Sequence, residues 1–339
     1  MQRNSVSSSY AAAELQARED WAGHDFDEAA RSASRAAVIA LGDGNTEAWR
    51  NMTFLQAECL LATGEFEASA EVAGALVESG STTPQLQAQA HILRAKACQG
   101  AGSLDIAAAE ARAAIKLVRD EADTEVNATA GLALISALGD SGKLEEAWAE
   151  SLNLANAISA EIDEQLLGKA YWVIGNVAFL CGKVPEGLYY HELAAVTFSP
   201  TRNLDVWAKF NKASAAMRLA ADVSDADTLR CIERAELATD VIGGSANDYL
   251  LLKLNRAHWN FLAGDHAAAV ALLDDIYVEA EKPSPQILGE VGLLLGRANA
   301  AMGNREAAHH HLLKAVEHFE ASGAQQRADQ AREFLANEA

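Results

Sequence analysis

Apolar and small side chains recur along most of the chain at the three-and-four spacing of a buried helix face, and a glycine interrupts the pattern at regular intervals. Aligning the interrupted segments places these glycines at Gly64, Gly102, Gly142, Gly182, Gly264 and Gly303. The intervals are 38, 40, 40, 82 and 39 residues, and 82 is close to two repeats. In the unit that lacks its glycine, Ala220 takes the place within "MRLAADVSDADTLRCIERA".

The chemistry around each interruption also repeats. Seven residues before it stands a small side chain (Ala57, Ala95, Gly175, Ala213, Ala257, Gly296), with Ile135 the exception. Five residues after it the side chain is again small: Ser69, Ala107, Ala147, Gly187, Ala269 and Ala308. Two residues after it the first four repeats carry an apolar anchor, Phe66, Leu104, Leu144 and Val184, replaced by His266 and Arg305 in the last two. Small residues let two helices approach closely, and glycine ends a helix because it takes positive φ without a Cβ clash. Each unit is therefore predicted to be a helix, a tight turn and a second helix packed back on the first.

Seven repeats over about residues 45–322 follow, within a single domain over 10–337. Residues 10–44 predict a degenerate first unit, with Phe26 and Ala29 in the expected relation and Gly23 one residue out of frame. Residues 324–337 predict an amphipathic capping helix with a polar face, and residues 1–9 a flexible tail. About seventeen helices result. Loops between units are marked by "ESGSTTPQ", "FSPTRN", "VIGGSAND" and "AEKPSPQ".

The pattern is similar to the tetratricopeptide repeat family, most clearly at Gly175, Asn176, Phe179, Gly182 and Tyr189. An aromatic eleven residues before the turn glycine, frequent in that family, survives only as Tyr171. The resemblance implies an all-α fold, a tetratricopeptide-like α-solenoid wound as a right-handed superhelix of helix-turn-helix pairs. The period near 40 resembles the longer-repeat subset found in signalling adaptors and bacterial peptide-sensing regulators.

Composition changes the picture in three respects. Five prolines in 339 residues remove most obstacles to long helices. A formal charge of −21 argues against direct contact with nucleic acid, which needs clustered Lys and Arg, and favours a basic or neutral partner. Cys59, Cys98, Cys181 and Cys231 are widely separated within helical patterns and read as reduced thiols, and no run of about eighteen apolar residues occurs. A cytoplasmic protein with no membrane partner is the simplest expectation.

The search for catalytic chemistry finds no phosphate loop, no dinucleotide fingerprint and no strand to carry one. "LGDGNTE" at 41–47 lacks the carboxylate spacing of a calcium loop and reads as a polar turn. His309, His310, His311 and His318 have no i, i+4 pair that would converge on an ion, so neither a metal nor a cofactor is expected and the chain reads as non-enzymatic.

Function is then expected on the concave groove lined by the first helix of each pair. Family geometry implies that residues six, nine, ten and thirteen before the turn glycine face it. The candidate ligand-binding residues are Lys169, Trp172, Asn176, Phe179, Trp207, Phe210, Asn211, Asn255, His258, Phe261 and Arg297. Asn176, Asn211 and Asn255 resemble the asparagines that hydrogen-bond a ligand backbone in peptide-binding members, with the alternative that they join helices inside the array. Lys169 and Arg297 could meet an anion or serve as solvated rim charges, and the aromatics could form an apolar floor or plain core. The leading expectation is a sensor or adaptor holding a peptide or extended protein segment. The alternatives are a scaffold contacting folded partners or a second copy through its acidic outer surface, and a small-molecule receptor or enzyme.

Overall fold

The computed structural model of the chain describes residues 7–80, 83–119, 124–158, 162–278 and 283–338. The loops expected at 78–85 and 280–286, and the tail expected at 1–9, lie partly outside the described residues. All regular structure among the described residues is helical, and no helix there is long and apolar enough to cross a membrane. The chain divides into two compact units, Met1–Cys181 and Gly182–Ala339, where a single domain is expected from the sequence.

The first unit contains α1 (Ser8–Ala22), α2 (Phe26–Gly42), α3 (Thr46–Thr63), α4 (Phe66–Ser79), α5 (Pro84–Gly100), α6 (Leu104–Val118), α7 (Thr124–Asp140), α8 (Leu144–Ala157) and α9 (Glu164–Leu180). The second contains α10 (Val184–Thr197), α11 (Leu204–Ala220), α12 (Ala226–Ile242), α13 (Ala246–Leu262), α14 (His266–Val278), α15 (Pro285–Ala301), α16 (Arg305–Ala321) and α17 (Gln325–Glu338). Helix α1 begins at Ser8 because the Ser7 side chain caps it, accepting from the Tyr10 amide, so residues 8 and 9 are helical rather than tail.

Close approach within a pair follows from the small residues. In the first unit Ser69 donates its hydroxyl to the Ala57 carbonyl at 2.8 Å, joining α4 to α3 through the two small positions of one repeat. In the second, a Cβ on Gly296 would stand 2.5 Å from the Leu312 side chain and 3.3 Å from the Ala308 carbonyl oxygen. One turn earlier on α15, a Cβ on Gly292 would meet the α16 backbone at 3.1 to 3.3 Å. The apolar anchor after the turn reaches the next repeat: the Phe66 ring fills the space that a Cβ on Gly100 would need, at 2.3 Å. An alanine-rich seam of Ala33, Ala36 and Ala37 with Met52 forms part of the core of the first unit, and Leu273, Ile276, Val291 and Leu295 part of that of the second.

The repeat without a glycine corrects the alignment. Helix α11 ends at Ala220, but the left-handed residue is Asp222 (φ 55°), two positions later than Ala220. Helices α5, α7, α9, α13 and α15 likewise end two residues before their glycine. Asp tolerates this conformation better than most residues. The turn after Asp222 is also longer, since α12 starts four residues on rather than two. Asp225 caps it, accepting from the Thr228 amide at 2.8 Å and pairing with Arg218 at 3.7 Å, so polar bonds replace the apolar anchor. In the corrected frame the small residue seven positions before the turn is Ala215, fully buried, and not Ala213.

These contacts set an expected contrast. Gly292→Val should destabilise the protein by about 1–3 kcal/mol in a urea melt, because the neighbouring atoms are backbone and cannot move aside. Gly139→Ala, with open space around its Cβ position, should leave the midpoint unchanged or raise it.

Candidate functional site

On a helix, each residue turns about 100° from the one before. The side chain six before the turn glycine follows the small contact residue at seven, and so points away from the second helix toward the neighbouring first helices. In the first unit this position holds Glu58, Lys96, Ser136 and Asn176; in the second it holds Ala216, His258 and Arg297.

In the first unit, α3, α5, α7 and α9 line a cleft of about 500 Å³ built from Phe54, Leu61, Ile92, Leu93, Val126 and Leu166, with Glu58, Gln89, Lys96, Glu125 and Thr129 among them. A second cleft of about 690 Å³, reaching Arg18, Arg50 and Leu76, adjoins it through Phe54, Glu58 and Gln89. Lys96 and Glu58 are solvent-accessible yet walled by the cleft. That partial desolvation, with Lys169 nearby, lowers the Lys96 ammonium below the usual lysine range, and it raises the Glu58 carboxyl above the usual carboxylate range. Lys96 makes no ion pair with a described residue.

Several expected groove residues sit elsewhere. Asn211 is 1% exposed and donates its amide to the Trp207 carbonyl of its own helix at 2.8 Å. Phe210, also 1% exposed, packs against Phe198 and His191 with ring centroids 5.3 and 5.8 Å away. Trp207 lies under Arg234 of α12, 5.9 Å from the ring centroid. The cause is the turn at Asp222: the frame counted from Ala220 selects the buried side of α11, whereas the corrected frame selects Lys209, Lys212, Ala213 and Ala216. Asn211 and Asn255 are thus not equivalent positions. Asn255 is buried and donates to the Lys212 carbonyl at 3.1 Å, which joins α13 to α11. Of the first unit's candidates, Phe179 is buried, Trp172 and Asn176 are half-buried, and Lys169 is exposed.

The structure does bring His258, Phe261 and Arg297 together in the second unit. The Arg297 guanidinium carbon lies 4.7 Å from the Phe261 ring centroid and 4.9 Å from that of Phe334 on α17. Burial, with Arg297 and Arg327 nearby, pushes the His258 imidazole down to about 4. Neither Phe334 nor Lys96 stands out in the sequence. Lys96 could have been found by extending the six-before-glycine frame to the early repeats, but Phe334 belongs to the cap, where no glycine sets a frame. Among the described residues no group of three or more His, Cys, Asp or Glu could hold a metal ion. Cys59, Cys98 and Cys231 are buried free thiols, and burial raises Cys59 to about 11.

No protein-family model and no curated protein matches the sequence. Among solved structures, the apo form of RapI superposes with a TM-score of 0.57 at 9% identity, covering 97% of this chain and 99% of that one. A tetratricopeptide repeat protein from Parabacteroides merdae aligns over 98% of this chain and 99% of its own at 14% identity, with a TM-score of 0.42. The likeness establishes the fold alone: an all-α, tetratricopeptide-type array of helix pairs.

Two outcomes follow for the first-helix face of the second unit. Asn255→Ala should cost about 1 kcal/mol in a urea melt, since it removes a bond between helices; an unchanged melt would show that the amide is not needed there. Asp248 is held down to about 2 chiefly by hydrogen bonds from Lys212 and Ser245. Its unfolded value lies near 3.9, so its contribution is present above about pH 4 and fades as pH falls toward 2. Asp248→Asn should therefore cost about 1 kcal/mol at pH 7, after discounting for solvent screening, and less at pH 3 in the same melts.

Proposed function

We propose that the protein is a non-enzymatic binding module, a cytoplasmic sensor or adaptor that holds a peptide or a partner's extended segment along the first helices of its repeats. The observation that carries this reading is the pair of adjoining clefts in the first unit, one of which sets Lys96 and Glu58 among apolar side chains. The cleft walls suit a chain that alternates apolar side chains with polar backbone: Gln89 and Thr129 offer donors and acceptors, and Phe54, Ile92 and Leu93 offer apolar area. A ligand with an acidic group near its apolar residues would match Lys96 and Lys169, neither of which has an ion-pair partner among the described residues. This places the main site on the early repeats, whereas the candidates expected from the sequence, Lys169 to Arg297, lie later in the chain.

Screening a random peptide library against the immobilised protein, followed by titration of the selected peptides, tests the proposal. Lys96→Glu should weaken the selected peptides at least tenfold, with a melting temperature close to that of the parent because the side chain is exposed. Peptides that bind both proteins equally, or a library that yields no binders, would overturn it.

A further inference from the structure

We propose that the second unit carries a separate carboxylate-binding site formed by Arg297 and His258, with Phe261 and Phe334 as its walls. Acidic residues outnumber Lys and Arg by 48 to 27 in this chain, so a cation is seldom far from a carboxylate. Several cations of the unit are accordingly paired: Arg327 with Glu290, Arg256 with Glu236, Lys212 with Asp248 and Arg332 with Glu320. Arg297 makes no hydrogen bond or ion pair with any described residue, and Asp222, the acid that acts on it, lies beyond ion-pair distance.

Its setting suits a planar anion. Rings from α13 and α17 lie 4.7 and 4.9 Å from the guanidinium carbon, and its N–H groups make no hydrogen bond with a described residue. A carboxylate matches a guanidinium edge with two parallel hydrogen bonds. His258 stands at the equivalent position of the preceding repeat, and its Nε2 is buried without a hydrogen-bond partner. The imidazole is neutral at pH 7, because burial and the charges of Arg297 and Arg327 oppose protonation. A neutral ring protonated at Nε2 donates to an anion's oxygen and adds no third positive charge. The other titratable groups facing the site are Asp222 in the turn after α11, which acts on Arg297, Glu290 on α15, bound to Arg327, and His266 at the start of α14, whose ring is tilted against Phe261 with centroids 5.4 Å apart. A metal cation would face two guanidinium groups and is disfavoured.

The same chemistry is offered by a small free carboxylic acid and by the C-terminus of a peptide. Histidine-detected NMR, with the His258 signal assigned from the spectrum of H258Q, tests the site by titration with acetate and benzoate and with a short peptide carrying a free or an amidated C-terminus. A bound carboxylate should shift the His258 signals and raise its titration midpoint by a unit or more, and Arg297→Gln should weaken that binding at least tenfold. A response to the small acids identifies a free acid as the ligand; a response to the free-terminus peptide alone identifies a peptide terminus. If neither perturbs His258 while Arg297→Gln lowers the melting temperature by many degrees, Arg297 is only a brace between α13, α15 and α17 and the proposal fails. If neither perturbs His258 and the melt is unchanged, it fails equally.

Discussion

The close contact between the two small positions found in most repeats, seven before the turn and five after it, determines where the other side chains can go. At Ser69 and Ala57 the contact is a hydrogen bond from a side chain to a backbone carbonyl; at Gly296 it is a close approach to the Ala308 carbonyl, with the Leu312 side chain filling the space a Cβ would need. Packing this tight replaces large side chains with backbone and methyl contacts, which explains how alanine can dominate the buried positions of a stable helical protein. With the contact residue fixed against the second helix, its neighbour six before the turn is carried out toward the adjacent first helices. The contact that holds a pair together therefore also aims the residue available for binding.

Electrostatics joins one repeat to the next. Asp105 pairs with Lys143, Glu290 with Arg327 and Lys212 with Asp248, at separations of 38, 37 and 36 residues. Each separation is close to one repeat, so the period that stacks the helices also brings opposite charges to corresponding places on neighbours. Most of these pairs are solvent-accessible and contribute little to stability individually. They also neutralise the cations that take part, whereas Lys96, Lys169 and Arg297 are among the basic residues with no such partner among the described residues.

The repeat itself was legible because glycine and small residues report backbone conformation and helix separation directly, and neither depends on distant parts of the chain. Side-chain direction was legible only while the frame held. Counting from Ala220 instead of Asp222 turned the expected face of α11 by two residues, about 200°, and placed Phe210 and Asn211 in a groove when both are core. Nothing local marks Asp222 as the turn residue, since Asp is common at helix termini for other reasons. Arg297 was visible as a charge in a helix rich in small residues, but its state depends on Phe261 and Phe334, one from the preceding repeat and one from the cap.

The residues six before the turn also explain why a repeated fold need not bind a repeated ligand. Their backbone placement recurs, while their chemistry runs Glu58, Lys96, Ser136, Asn176 in the first unit and Ala216, His258, Arg297 in the second. Substitution here leaves the small contact one residue away untouched, so the position can vary without disturbing the pair. In the first unit the series mixes acid, base and neutral polar groups above apolar walls, the character that the proposed extended ligand requires. In the second it leads from a methyl group to an imidazole and a guanidinium, which concentrates donors at one end, as the proposed carboxylate site requires. The constraint that makes every repeat fold alike thus leaves free the one position at which the repeats can differ in what they recognise.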